Sequence, residues 1–144
     1  MKVKFEREEK KISPKELEAF EELLIKKDLK LPEDYKKHML KYNGGSPDDS
    51  CEWHLDSRVE FFDFTSIKYG DYTMEEKFLI SRRDVLPESD IYIGDILGGH
   101  LCMSLSKENH GAIYAFFPDG ERIDICNSFT EFVNGLVYSD EEEY

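Results

Sequence analysis

Leu17, Phe20 and Leu24 recur at helical spacing, with glutamates and lysines filling the opposite side of the same stretch. Ser13-Pro14-Lys15-Glu16 opens it: a capping serine, a proline suited to the first turn, and a glutamate able to reach back to the cap. This amphipathic helix is predicted to end near Lys27 or Asp28. A second helix is predicted from Leu31-Pro32-Glu33-Asp34, where two carboxylates meet the positive end of the helix dipole. Tyr35, Met39 and Tyr42 form its apolar face, with Leu40 beside it, and Asn43-Gly44-Gly45 ends it because Asn and Gly accept left-handed backbone. Ser46 to Ser50 reads as a polar loop.

Beyond this point the period changes from helix to strand. Val59 to Phe64 is rich in β-formers, and Thr73-Met74-Glu75-Glu76 offers a capping box for a short helix through Phe78, Leu79 and Arg82, closed by Pro87. Ile91 to Ile93 and Leu101 to Leu105 flank a Gly98-Gly99 turn. In the second run Leu101, Met103 and Leu105 face one way and His100, Cys102 and Ser104 the other. Ala112 to Phe117 is apolar on both faces, as in a central strand, and Pro118-Asp119-Gly120 turns the chain into a strand from Arg122 to Cys126. Ser128-Phe129-Thr130-Glu131 starts a last helix whose apolar side is Phe129, Phe132, Val133 and Leu136; residues 139–144 form an acidic, frayed tail. Hairpin-length links imply antiparallel pairing, and helices near the chain ends cover one face. The expected fold class is α+β: a largely antiparallel sheet packed against N-terminal and C-terminal helices, in a single domain over residues 1–144.

Composition narrows the functional classes. With 40% hydrophobic and 13% aromatic residues, an ordered core is expected. Acidic residues outnumber basic ones 32 to 19, for a net charge of -13, which disfavours direct nucleic-acid binding and attracts basic partners. Acidity also serves solubility, so charge excludes more than it establishes. Cys51, Cys102 and Cys126 are an odd set without regular spacing, as expected of free thiols in a reducing compartment. Met1 to Lys11 carries no apolar signal region, and no apolar run is long enough to span a bilayer; a cytoplasmic location is expected.

Chemical motifs are sparse. The glycines of Gly94-Asp95-Ile96-Leu97-Gly98-Gly99 precede a strand instead of a helix and match neither phosphate-binding spacing, so a strand-connecting turn is expected. Cys51 and His54 could share a metal with Asp48 or Asp49 nearby, but a structural zinc site needs a complete set of four ligands and no second pair is present; His38, His100 and His110 are unplaced. No cysteine lies in a nucleophile signature, and carboxylate pairs are too abundant to single out a general acid. The chain is expected to be no enzyme and to carry no metal or cofactor.

Three blocks carry a resemblance. Leu31-Pro32-Glu33-Asp34-Tyr35-Lys36 is followed by Leu40, Lys41, Tyr42, Asn43, Gly44 and Gly45. Ile93-Gly94-Asp95, Gly98-Gly99, the Leu101 to Leu105 strand, Gly111 and Ile113-Tyr114 form the second block. Ser128-Phe129, Glu131-Phe132 and Leu136 form the third. In order and spacing, from about Leu31 to Leu136, this resembles the SUKH superfamily. The chain departs from that pattern at Phe116 with Pro118-Asp119-Gly120, where relatives often carry Trp and an acidic or His-containing stretch, and at Ile96-Leu97, where an acidic residue is common.

The resemblance implies an α+β fold and, for bacterial members, immunity: binding and blocking a cognate polymorphic toxin domain, often a nuclease. Eukaryotic relatives act as regulatory proteins, which makes a scaffold or regulatory module with a host partner the alternative. A nuclease cleft is basic because its substrate is a polyanion, so an acidic partner suits it. Recognition is expected in polar loops, with Asp48, Asp49, Glu52 and Trp53 as the first group, the tryptophan serving as an anchor. Asp95, Glu108 and His110 are expected in other loops. Taken singly, each has a plainer reading, with Trp53 in the core and the acids solvated.

Overall fold

The computed structural model describes residues 2–76 and 86–139. The first helix, α1 (Pro14–Ile25), starts where the serine and proline place it. The Ser13 hydroxyl accepts from the Glu16 amide at 3.2 Å and the Glu16 carboxylate accepts from the Ser13 amide at 2.9 Å, so both halves of the capping box are closed. Leu17, Phe20 and Leu24 are its buried face. The second helix, α2 (Glu33–Tyr42), buries Tyr35 and Met39, and Pro32 stands just outside it as the N-cap. Asn43 ends it in left-handed backbone at φ 47°, followed by Gly44 and Gly45, also at positive φ.

Nine strands are described: β1 (Phe5–Glu6), β2 (Ser46–Pro47), β3 (Cys51–Trp53), β4 (Asp56–Phe64), β5 (Asp90–Ile96), β6 (Gly99–Ser104), β7 (Ile113–Phe116), β8 (Arg122–Cys126) and β9 (Leu136–Tyr138). Seven form one antiparallel sheet in the order β8-β7-β6-β5-β4-β3-β9, and β1 pairs with β2 separately. The third helix, α3 (Phe129–Asn134), lies between β8 and β9 in sequence. The helices and one sheet face share a continuous apolar cluster that includes Phe20, Tyr35, Met39, Phe61, Leu101, Met103 and Phe132. The expected α+β arrangement is the observed one.

Four local expectations need correction. The Ser46 to Ser50 segment is not all loop, because β2 pairs with the N-terminal strand. Cys51–Trp53 is a strand, too short and too mixed in polarity to announce itself. The last helix stops at Asn134, and Leu136 belongs to β9, which pairs with β3. Asp95 lies inside β5 instead of in a loop. Residues 74–76 are helical and the Thr73 hydroxyl accepts from the Glu76 amide; Phe78, Leu79 and Arg82 of the predicted short helix lie outside the described residues. So do residues 140–144 of the acidic tail.

His38 of α2 is enclosed by the rings of Phe5, Tyr42, Phe64 and Phe129, at centroid distances of 4.8–5.5 Å. Its Nε2 lies 2.8 Å from the Gly44 carbonyl, so the neutral ring donates there. Burial pushes its pKa down to about 4, and the Lys41 charge acts in the same direction. An unfolded histidine titrates near 6.5, so the unfolded chain takes up this proton first as pH falls. Stability from His38 is therefore intact above about pH 6.5 and lost on the way to pH 4, by about 2–3 kcal/mol at pH 4.5. Urea unfolding at pH 7.5 and 4.5, in wild type and His38→Gln, should show that difference as a smaller acid loss in the variant. Equal losses would exclude the buried neutral histidine as a source.

Candidate partner-binding site

Residues paired directly across an antiparallel sheet share a face, so the register sorts the side chains. Phe64, Gly94, Leu101, Ala115 and Ile123 form one row facing the helices. Asp63, Asp95, His100, Phe116 and Arg122 form a row on the opposite face. Bulges at Phe62 and Ile93 shift the register just beyond these two rows, which are themselves in step. A Cβ on Gly94 would stand 2.4 Å from the Asp63 carbonyl, so only glycine lets β4 and β5 approach this closely.

The outer face is divided. Toward β8 it is closed: Tyr114 is buried, its hydroxyl donates to the Asp90 carboxylate, and the Arg122 guanidinium lies 3.7 Å from the ring centroid. Toward β4 it opens into a groove of about 430 Å³. Five carboxylates line this groove: Glu8 and Glu9 from the N-terminal segment, Asp63 and Asp95 from the sheet, and Asp71 from the loop after β4. Asp63 and Asp95 are direct cross-strand neighbours. His100 engages Asp95 through Nδ1 at 3.2 Å, with both side chains half exposed. Tyr72 lines the same groove and is 75% exposed. Thr65, also a lining residue, is only 7% exposed, and its Oγ1 has no hydrogen-bond partner among the described residues.

Asn43 holds both walls of the groove. Its Nδ2 donates to the Lys10 carbonyl at 2.8 Å and the Lys68 carbonyl at 2.6 Å, and its Oδ1 accepts from the Ile67 amide at 2.9 Å. The N-terminal segment and the loop after β4 are thereby fixed to the end of α2. Tyr69 adds a second tie, donating to the Glu16 carboxylate, which holds the Glu16 pKa below its ordinary value.

The residues expected from sequence are scattered over three places. Asp48 and Asp49 are exposed between β2 and β3, where Asp48 accepts from the Tyr138 hydroxyl at 2.6 Å and Asp49 from the Ser50 amide at 2.8 Å. Glu52 and Trp53 of that group are buried, which for Trp53 is the core placement of the plainer reading. Trp53 stacks on Phe132 at 5.7 Å and 8°, and a Cβ on Gly135 would overlap its ring. Glu108 and His110 are exposed in the β6–β7 loop, with His110 Nε2 2.7 Å from the Lys30 carbonyl. Asp95 alone belongs to the groove. Glu8, Glu9, Asp63, Asp71 and Tyr72 were not singled out by sequence reading. The available signal was an acid set inside β-forming runs, in Phe62-Asp63-Phe64 and Gly94-Asp95-Ile96.

Cys51 and Cys126 offer little reactivity. Burial pushes Cys51 up to about 12 and Cys126 up to about 11, far from thiolate formation at neutral pH. The Cys51 side chain is buried, whereas His54 turns its Nδ1 to the Gly135 carbonyl at 2.9 Å. Among the described residues no cluster of three metal-ligating side chains is present, and no helix is long and apolar enough to cross a membrane.

No curated protein matches the chain. A family match does extend from the start of α1 through the end of α3, taking in α1, α2, α3 and all but the last strand of the main sheet: over residues 11–135 the chain belongs to the SMI1 / KNR4 family (SUKH-1).

Proposed function

We propose that this chain is an immunity protein that binds a cognate toxin domain, basic and nuclease-like, and neutralises it by direct contact. Membership of the SMI1 / KNR4 family supports an immunity-type or SMI1-like protein, and domains of this kind are generally non-enzymatic. The observation that carries the finer reading is the charge. A net -13 is displayed on a rigid sheet scaffold, with acids concentrated in an open groove and in the β2–β3 loop. Such a field accelerates encounter with a basic partner and repels the polyanion that a nuclease would otherwise bind. The cell compartment this requires is the cytoplasm, where the toxin's targets lie.

Co-expression with the C-terminal domain encoded by the adjacent upstream gene, first scored for toxicity on its own, tests the reading. Survival of the cells and co-purification of the two proteins are expected. Continued killing by a domain shown to be toxic alone would break the pairing and favour the regulatory or scaffold reading. Steering makes a kinetic prediction as well. Raising salt from 50 to 300 mM should slow association by about tenfold or more, and Asp48→Asn with Asp49→Asn should slow it about two- to fivefold with little change in dissociation. An association rate indifferent to salt would exclude electrostatic capture.

A further inference from the structure

We propose that Asp119, at the tip of the β7–β8 hairpin, is a self-modification site: its side chain closes on the Gly120 amide and reopens as an isoaspartyl link. The inference is independent of the immunity reading.

Three Asx-Gly pairs occur in the chain: Asn43-Gly44, Asp119-Gly120 and Asn134-Gly135. Each invites cyclisation, because glycine has no side chain to shield its amide and leaves the backbone free to bend. In an unfolded chain asparagine cyclises faster than aspartate, so composition alone ranks Asp119 last. The fold reverses that order. Asn43 is fully buried, and turning its side chain onto Gly44 would break the hydrogen bonds to Lys10, Lys68 and Ile67. Asn134 is exposed, but Gly135 is buried, and its amide donates to the Glu131 and Phe132 carbonyls. The Gly135 carbonyl meets the His54 amide and Nδ1, and a Cβ at this glycine would overlap the Trp53 ring. Its backbone therefore has no room to bend toward the side chain.

Asp119 and Gly120 are both exposed, and nothing lies within 4 Å of the place a Gly120 Cβ would take. The Asp119 Oδ1 accepts from the Glu121 amide at 2.9 Å, and that Asx turn folds the carboxyl back over the Gly120 peptide. The Gly120 amide donates to the Phe117 carbonyl at 2.9 Å, in an exposed tip leading into an edge strand, where local opening costs least.

The chemistry needs only water. The Gly120 nitrogen attacks the Asp119 γ-carboxyl carbon in its neutral acid form, a C–N bond forms, and the carboxyl hydroxyl leaves with the amide proton as water. Water then adds to the Asp119 α-carbonyl of the succinimide and breaks its bond to the Gly120 nitrogen. One water leaves and one returns, with nothing oxidised or reduced. The main chain now runs through the side chain, one methylene longer, and carries a free α-carboxylate at the turn into β8.

The test ages the full chain at 37 °C and pH 6, with and without urea, and digests it with trypsin. The three pairs fall in separate peptides, residues 42–58, 108–122 and 123–144. The readout is methyl transfer from S-adenosylmethionine by a protein isoaspartate methyltransferase, with peptide masses reporting asparagine deamidation. In the folded chain methyl acceptance is expected in 108–122, at about tenfold or more above either other peptide. In urea the order should reverse, with deamidation at Asn43 and Asn134 leading. Asp119→Ser, whose hydroxyl keeps the turn and cannot cyclise, should abolish acceptance in the folded chain. Acceptance in 108–122 that appears only in urea, that persists in Asp119→Ser, or that is matched by either asparagine peptide of the folded chain overturns the proposal.

Discussion

Asn43→Ala should lower the unfolding free energy by about 3–5 kcal/mol, because one buried side chain makes three hydrogen bonds to three separate backbone groups. Alanine leaves the Lys10 and Lys68 carbonyls without their donor and the Ile67 amide without its acceptor, all where water is largely excluded. It also places a Cβ residue less tolerant of left-handed backbone at φ 47°. Asn43→Asp keeps the backbone preference and the acceptor but turns a second carboxylate oxygen toward two carbonyls, so it should be no milder. Urea unfolding followed by circular dichroism gives both values. A loss below about 1 kcal/mol for the alanine variant would show that the two segments hold together without this side chain. The effect should also reach the groove, since the segment carrying Glu8 and Glu9 and the loop carrying Asp71 and Tyr72 are tied at this point.

Trp53→Ala is expected to cost about 3–5 kcal/mol through the cavity it leaves beneath α3. The indole is 4% exposed, stacked on Phe132 and pressed against Gly135. Trp53→Phe should cost about 1–2 kcal/mol, since a smaller ring keeps part of that packing. Because Trp53 is the single tryptophan of the chain, circular dichroism is the proper readout. The result also decides between packing and recognition. A residue acting as an interface anchor would lose partner affinity with little change in stability; loss of affinity at an unchanged midpoint would return Trp53 to the interface.

The elements that sequence made legible are those whose cause is local. Ser13, Pro14 and Glu16 close a capping box within four residues, and Asn43-Gly44-Gly45 ends α2 through backbone preference alone. The alternation of Leu101, Met103 and Leu105 with His100, Cys102 and Ser104 is reproduced by the pairing of β6 with both neighbours. What sequence left hidden depends on distant partners. β1 and β2 are two residues each and exist because they pair with one another, and β9, three residues long, is held in the sheet by its pairing with β3. Leu136 follows α3 in helical phase, yet a turn at Gly135 sends it into the sheet.

The same division holds for the site. Asp95 was visible as an acid in a glycine-rich stretch, but its companions come from residues 8–9, 63 and 71 and meet only through sheet register and the ties made by Asn43. Trp53 carries two readings, anchor and core, between which the sequence alone does not choose. One aromatic among acids looks like an exposed anchor, while the strand parity that turns it inward depends on β3 being a strand at all.

The placement of β9 bears on the order in which the molecule can assemble. Residue 51 pairs with residue 138, and the Lys4 amide donates to the Tyr138 hydroxyl at 2.9 Å. The earliest and latest parts of the described chain thus meet at one edge. Until synthesis passes residue 138, β3 has a neighbour on one side only and its other edge stays open to any passing strand. Such late closure over a long sequence separation puts the final step of folding after translation of nearly the whole domain, and it makes that open edge the place where a nascent or truncated chain is exposed to mispairing.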